Sequence, residues 1–335
     1  MIIESVSEAP ISISRPAHPL RGYFLIGSAA FLWGVSAVMG RAVFTGRLAL
    51  GHEKLQPIDP LILSQTRTTF SLLVLLPILL ARGGWRRVVL PRRYLVQCLF
   101  LGTLGVAVSN YFYYVAIDRI NVATAIIVQY SAPVWVLLYV VARGQQKLTA
   151  QKIIAVVLAI AGNALVIDLY RAAISGAGLR LDAYGLIAAL VASFSFAFYN
   201  VAGHGILARH DRWRVLAWTL AFAAAFWLIV NSPSKIIAAH YTPAQWAFLF
   251  VFSMISVLGA FSLYFAGLQY LEPTRAIIAS CMEPVFSILL AALLLGEIVR
   301  PLQACGIFLV LAAIVIVQRP EKPLSGESLA VEPME

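Results

Sequence analysis

The sequence predicts an all-α integral membrane protein of ten transmembrane helices, built as two inverted five-helix repeats. Three observations carry this prediction: the composition, the lengths of the apolar runs and an internal repeat. Of the 335 residues, 61% are hydrophobic and 12% are charged, and the mean hydropathy is +0.86. A soluble domain does not bury that much apolar surface, so a bilayer is the expected solvent.

Ten apolar runs have the length of about 17 to 25 residues that crosses roughly 30 Å of hydrocarbon. In chain order they span 22–43, 60–81, 93–117, 121–142, 149–168, 183–207, 213–230, 244–270, 274–295 and 300–318. The least distinct boundaries are the sequences AIDRIN and QYLEPT, near 117–121 and 270–274. Each contains a charged residue and a turn former, which predicts a tight loop and not one long helix.

Both ends of the chain are predicted to lie outside the membrane. Residues 1–21 mix Glu and Pro before any apolar run begins, which is not the pattern of a signal peptide, and we interpret them as a cytoplasmic N-terminal segment. Residues 319–335 are rich in Pro, Glu and Ser and have little to bury. They are therefore predicted to form a disordered cytoplasmic tail.

The basic residues predict the orientation of the chain. With the N-terminus inside, the inner segments hold 16 of the 25 Lys and Arg residues, the outer segments hold 8, and Arg67 remains within a span. This bias follows the positive-inside rule, so both termini are predicted to be cytoplasmic and the protein to reside in the cell (inner or plasma) membrane. The net charge of +10 then reflects topology, and no nucleic-acid partner is expected.

An internal repeat divides the spans into two groups of five. At a shift of 151 residues, 116–138 aligns within 267–290, matching AII with AII and PV with PV, and YFLIGSAAFLWGVS resembles YGLIAALVASFSFA at a shift of 161. The predicted units are 22–168 and 183–318, joined by a linker at 169–182. Because five is odd, the second unit enters the membrane from the opposite side, as in carriers that alternate access around a midplane site. The alternative is an old duplication kept only for packing.

Several motifs carry a family resemblance: FLWG in the first span, SQTRTTF in the second, and EPVFSILLAALLLGE followed by PLQACGIFLVLAAIVIV at the end. The chain resembles the EamA-type family of the drug/metabolite transporter superfamily over residues 22–318. The first half departs from the pattern, with ARGQQKLTA where such proteins often carry a Leu-Gly-Glu turn. The resemblance implies a ten-helix transporter, commonly an exporter of amino acids, metabolites or drugs, with a central cavity lined by both halves.

Two charged residues, Arg67 and Glu283, lie well inside the predicted spans. A buried charge is unfavourable unless it is paired, hydrated or neutralised, so each needs a physical reason. Three hypotheses remain for Glu283. It pairs with Arg67 or with backbone donors and locks helices together, it carries protons by alternating between charged and neutral forms, or it contacts a cationic group of the substrate.

Other residues are candidates for the cavity because they place polar or aromatic groups within the spans. The cavity candidates are Trp33, Ser36, Asn110, Gln129, Tyr130, Ser195, Tyr199 and Tyr264. Helix packing is the alternative role for each of them. Pro133 and Pro284 occupy matching repeat positions, and each removes a backbone donor, so both are predicted to kink their helices near the site. Tyr111, Tyr113 and Trp135 are interpreted as interfacial or core residues.

The sequence favours a secondary transporter over an enzyme. The five His residues are scattered, the single intramembrane carboxylate has no carboxylate partner, and Cys98, Cys281 and Cys305 show no metal-ligand spacing. No phosphate-binding GxxxxGK[ST] loop is present, and no cofactor or metal is predicted. The predicted partners are a small-molecule substrate, membrane lipid and, as a candidate coupling ion, protons. A passive channel or structural membrane protein is the alternative, and no pattern specifies an oligomeric state.

Overall fold

A computed structural model describes residues 18–44, 49–50, 53–54, 58–120, 122–168, 182–296 and 298–319 of the chain. Most of the predicted N-terminal segment, the linker, the C-terminal tail and Glu297 therefore lie outside the described residues. The described part is almost wholly helical. A pair of two-residue antiparallel strands, β1 (Ala49–Leu50) and β2 (Glu53–Lys54), lies in the first long loop.

The helices follow the apolar runs of the sequence closely. In chain order they are α1 Pro19–Phe44, α2 Pro60–Gly83, α3 Arg92–Phe100, α4 Val108–Arg119, α5 Val122–Gln129, α6 Ala132–Ala142, α7 Ala150–Val166, α8 Ala183–Leu207, α9 Arg212–Val230, α10 Pro233–Ala238, α11 Pro243–Ser253, α12 Ala260–Leu268, α13 Pro273–Ser280, α14 Met282–Leu295 and α15 Pro301–Gln318. A 3₁₀ turn, Gly84–Arg87, follows α2. The π-helical segments Leu101–Ala107 and Met254–Gly259 join α3 to α4 and α11 to α12.

Local signals explain where several helices begin. Asp59, Asp182 and Asp211 accept backbone N–H bonds in the first turns of α2, α8 and α9. Thr242 and Gln245 form a reciprocal capping box at the start of α11. Proline stands at the first position of α2, α10, α11, α13 and α15, where its missing N–H leaves no helical hydrogen bond unmade.

Within the described part, nine helical stretches are long and apolar enough to cross a membrane. They are Pro19–Gly40, Pro60–Arg87, Arg92–Ile117, Ala125–Ala142, Ala183–Leu207, Arg212–Val230, Pro243–Leu268, Pro273–Leu294 and Pro301–Gln318. The prediction of ten spanning helices is not confirmed, because the run at 149–168 forms a shorter apolar helix, Ala150–Val166. Thr149 caps its start and Asp168, with a φ of 60°, follows its end, so the regular helix stops within the predicted run.

Contacts between helix ends define two ends of the bundle. We call the end at which α1 begins the near end. There the Arg21 guanidinium lies 5.1 Å from the centre of the Tyr270 ring. At the opposite end, the far end, the Asn231 side-chain amide donates to the Gln65 carbonyl oxygen over 2.8 Å. Both contacts join the first half of the chain, up to residue 168, to the second half, from residue 183.

Two buried clusters hold the helices together. The larger one includes Ile26 of α1, Tyr199 of α8, Trp227 of α9 and Tyr264 of α12. The second lies between α6, α7, α14 and α15. Large apolar side chains, including Leu20, Phe24, Leu293 and Phe308, remain exposed on the helix surfaces. An exposed apolar surface on this scale suits lipid contact and not water.

Candidate functional site

Two of the membrane helices are interrupted in the middle. The first interruption lies at Tyr130 and Ser131, between α5 and α6, and the second lies at Cys281, between α13 and α14. Pro133 is the second residue of α6, and Pro284 is the third residue of α14. In this first turn the absent proline N–H breaks no helical bond, so the structure has a helix break at each site where the sequence predicted a kink.

Arg67 projects from α2 and donates a hydrogen bond to the side-chain oxygen of Asn110 on α4. The Asn110 amide donates in turn to the Val106 carbonyl oxygen over 2.7 Å. Val106 belongs to the π-helical segment Leu101–Ala107, where the regular pattern of backbone hydrogen bonds changes. The segment thus supplies the carbonyl that orients Asn110, and Asn110 orients the guanidinium.

Glu283 lies in the first turn of α14, immediately before Pro284. The Tyr130 hydroxyl is a hydrogen-bond partner of its carboxyl group. Arg67 lies within electrostatic range of the Glu283 carboxyl group. Tyr113 lies within electrostatic range of both Arg67 and Glu283. Among the ion pairs between described residues, none joins Arg67 directly to Glu283. Each of the two side chains instead bonds to a neutral side chain, Arg67 to Asn110 and Glu283 to Tyr130.

We call Arg67, Asn110, Tyr113, Tyr130 and Glu283 the central polar cluster. Its members come from α2, α4, the break between α5 and α6, and α14, so both halves of the chain contribute. All five are only partly buried, although they lie within the membrane helices. Residual exposure of polar groups at that depth is typical of a hydrated or ligand-binding interior.

Three other predicted residues, Trp33, Tyr199 and Tyr264, form an aromatic cluster together with Phe261. The Trp33 ring centre lies 5.4 Å from that of Phe261 and 5.2 Å from that of Tyr264. Tyr199 stacks on Tyr264 with a centroid distance of 6.0 Å. The Trp33 indole N–H donates to the Ser256 carbonyl over 3.1 Å, which fixes the ring in place.

The break between α13 and α14 connects the two clusters. The Tyr264 hydroxyl is hydrogen-bonded to the side chains of Asn200 and Ser280. The next residue, Cys281, lies near both Tyr264 and Glu283 and is 1% exposed. Ser280 and Cys281 therefore link the aromatic cluster to the central polar cluster.

The structure does not bring every predicted residue into these clusters. Ser36 donates to the Trp33 carbonyl of its own helix over 2.8 Å. Gln129 is partly buried and Ser195 is 8% exposed, and neither makes a side-chain hydrogen bond to another described residue. Sequence reasoning missed Tyr113, which it interpreted as an interfacial or core residue. The available signal was its spacing of three from Asn110, which places both on one helix face.

No group of three or more His, Cys, Asp or Glu side chains close enough to hold a metal ion occurs among the residues the structure describes. Cys98 and Cys281 are buried and Cys305 is exposed, and all three are free thiols.

Comparison with known proteins confirms the family resemblance. Residues 20–168 and 183–319 each match the model of the EamA-like transporter family. An uncharacterized inner membrane transporter, YicL, of Salmonella typhimurium is 22% identical over 301 residues, covering 89% of this chain and 95% of its own. An uncharacterized transporter of Archaeoglobus fulgidus is 25% identical over 291 residues, covering 86% of this chain and 97% of its own.

The fold also matches a solved structure. A crystal structure of 20% sequence identity superposes with a TM-score of 0.71, covering 91% of this chain and 97% of that one. At this identity the likeness concerns the arrangement of helices alone.

Proposed function

The chain belongs to the EamA-like transporter family, and from this premise we propose that it is a secondary transporter that exports a small metabolite by alternating access. Its family, its transporter-named relatives and the nine long apolar stretches in the described part of the chain already identify an integral membrane transporter. The further proposals concern the architecture, the site, the substrate class and the direction of transport.

We place the site in the central polar cluster because of one observation. The basic Arg67 and the acidic Glu283 both lie within the membrane helices, yet each bonds to a neutral side chain and they form no direct ion pair. Separated charges at that depth are costly unless something lies between them. A solute with its own carboxylate and ammonium groups satisfies both, so an amino acid fits best among amino acids, amines and drugs. The aromatic cluster then offers a surface for an apolar part of the solute.

Ten spans in two inverted repeats remain the proposed architecture, with Ala150–Val166 as the fifth span. Matching interruptions in the two halves support this proposal. The π-helical segments occur in Arg92–Ile117 and in Pro243–Leu268, and the helix breaks occur in the spans that follow each of them. Discontinuous helices at equivalent positions of two repeats are typical of secondary transporters. In this arrangement the near end faces the cytoplasm, as the bias of Lys and Arg predicts, and the protein lies in the cell membrane.

Counterflow in proteoliposomes tests the function directly. Vesicles are loaded with unlabelled amino acids, amines or cationic drugs, and uptake of the labelled counterpart is recorded. We expect saturable counterflow for at least one zwitterionic amino acid, because a carrier exchanges bound solute across the membrane without any other energy source. Linear flux without saturation or exchange would contradict the proposal and favour a passive channel. Folded protein without flux for any member of the panel would favour a structural role.

A second prediction concerns the hydroxyl group of Tyr130. The variant Tyr130→Phe keeps the ring and removes the hydrogen bond to Glu283, which should lower counterflow about tenfold, the effect of losing one bond to a charged group. The matched control is Tyr139→Phe, because Tyr139 lies on the same interrupted helix with its side chain 45% exposed. Equal rates for the two variants would exclude a role for the Tyr130 hydroxyl at the site.

A further inference from the structure

A loop of the second half packs against the start of α1 at the near end. A Cβ atom placed on Gly22 would lie 2.6 Å from Leu271 Cγ and 2.9 Å from Tyr270 Cβ, so only a hydrogen atom fits there. Arg21 adds the cation–π contact with the Tyr270 ring. Leu271 is 1% exposed. The first and second halves are thus in close contact at this end.

The far end has a similar contact, but there the helix start belongs to the second half and the loop belongs to the first half. A Cβ atom on Gly185 of α8 would lie 2.8 Å from both Arg119 Cβ and Ile120 Cγ2. The Arg119 guanidinium lies 5.4 Å from the centre of the Tyr184 ring. The repeat shift of 151 residues carries Arg119 and Ile120 onto Tyr270 and Leu271. The loop residues of the two contacts are therefore equivalent positions of the repeat, at opposite ends of the bundle, while Gly185 lies two residues beyond the position equivalent to Gly22 at the shift of 161.

Polar side chains reinforce the near-end contact. Gln146, in the loop after α6, donates from Nε2 to Glu272 Oε2 over 3.2 Å. The Thr274 hydroxyl donates to Gln146 Oε1 over 3.1 Å, and Arg275 Nε lies 3.9 Å from Glu272. These bonds join the first half, through Gln146, to the second half. We call Gln146, Glu272 and Thr274 the near-end latch.

The equivalent far-end positions differ in chemistry. The repeat shift carries Gln146 onto Glu297, Glu272 onto Asn121 and Thr274 onto Ala123, so at the far end the sequence exchanges the amide and the carboxylate and has no hydroxyl at the position of Thr274. A hydrogen bond to a charged group is stronger than one between neutral groups. The near-end bond from Gln146 to the Glu272 carboxylate is of this stronger kind.

We propose that the near-end latch is a gate whose bonds separate whenever the central polar cluster opens toward the near end. Because these bonds form only while the near end is closed, the latch stabilises conformations closed at the near end. This inference rests on the proposed alternating access, but it assigns the closing contact to three particular side chains. A bond between the halves affects the balance between conformations only if it forms in one of them and not in the other.

Cys281 is a native reporter for this gate, because it lies beside the central polar cluster and is 1% exposed. In a background with Cys98→Ser and Cys305→Ser, a membrane-impermeant maleimide is applied from the near-end side of oriented vesicles. Gln146→Ala and Glu272→Ala are each expected to accelerate labelling of Cys281 about tenfold, the shift for one lost bond to a charged group. Arg209→Ala, an exposed substitution in another near-end loop, is the control and should leave the labelling rate unchanged.

A cross-link provides a second readout that does not require the alanine variants to fold. In a cysteine-free background, Gln146→Cys and Thr274→Cys are joined by a short bifunctional thiol reagent. The joined protein should lose counterflow and regain it after the link is cleaved. Unchanged labelling in both alanine variants, or counterflow that persists in the joined protein, would overturn the latch. Because labelling needs no substrate, accelerated labelling without counterflow would support the latch and contradict the carrier function instead.

Discussion

The variant Glu283→Gln is expected to lower counterflow about 100-fold, within the range for removing one partner of a buried charge pair. Glutamine keeps the volume and can still bond to the Tyr130 hydroxyl, but it removes the negative charge. The substrate ammonium then loses its counter-charge, and Arg67 is left as an uncompensated positive charge. Initial rates of counterflow over a range of solute concentrations, together with the thermal midpoint in detergent, measure the effect.

The same variant separates the three hypotheses for Glu283. If the carboxylate binds the substrate, the apparent affinity falls and the thermal midpoint is kept. If it carries protons, exchange between identical pools of solute continues, but uptake driven by a pH gradient is lost. If it only holds helices together, the thermal midpoint falls and the remaining folded protein transports at the normal rate. A rate and midpoint equal to those of the unmodified protein would remove Glu283 from the site altogether.

Much of the helical framework could be predicted from the sequence, because the length and hydropathy of an apolar run depend only on consecutive residues. The run at 183–207, for example, has the same bounds as α8. The length of α7 could not be predicted in this way. Its run is apolar throughout, and the helix is limited by the Thr149 cap and the positive φ of Asp168, which hydropathy does not register.

The candidate site was predictable only where a residue type is conspicuous in a membrane. Arg67 and Glu283 stand out because charges are rare at that depth. Tyr113 and Cys281 do not, since tyrosine and cysteine are ordinary residues of membrane helices. Their importance follows from packing between helices distant in sequence. The π-helical segment that supplies the Val106 carbonyl to Asn110 also has no distinct signal in the apolar pattern.

The variant Gly162→Ala is expected to destabilise the protein more than the variant Gly205→Ala, because the methyl group added at Gly162 separates α7 from α15. A Cβ atom on Gly162 would lie 2.8 Å from the Gly306 carbonyl oxygen and 2.9 Å from the Val310 backbone nitrogen. Backbone atoms cannot rotate away as a side chain does, so the helices must move apart. Overpacking of this kind costs about 1 to 3 kcal/mol and should lower the thermal midpoint by roughly 3 to 10 °C.

Gly205→Ala is the matched control, since it adds the same methyl group to an exposed position of α8 with no atom within 4 Å. Alanine favours the helix over glycine by up to about 1 kcal/mol, so this variant should keep or raise the midpoint. The comparison also bears on the short helix α7. If Gly162→Ala leaves the midpoint unchanged, the tight pairing of α7 with α15 is wrong, and the proposal that Ala150–Val166 is the fifth span loses its packing partner. A lowered midpoint in Gly162→Ala alone supports α7 as an integral member of the bundle.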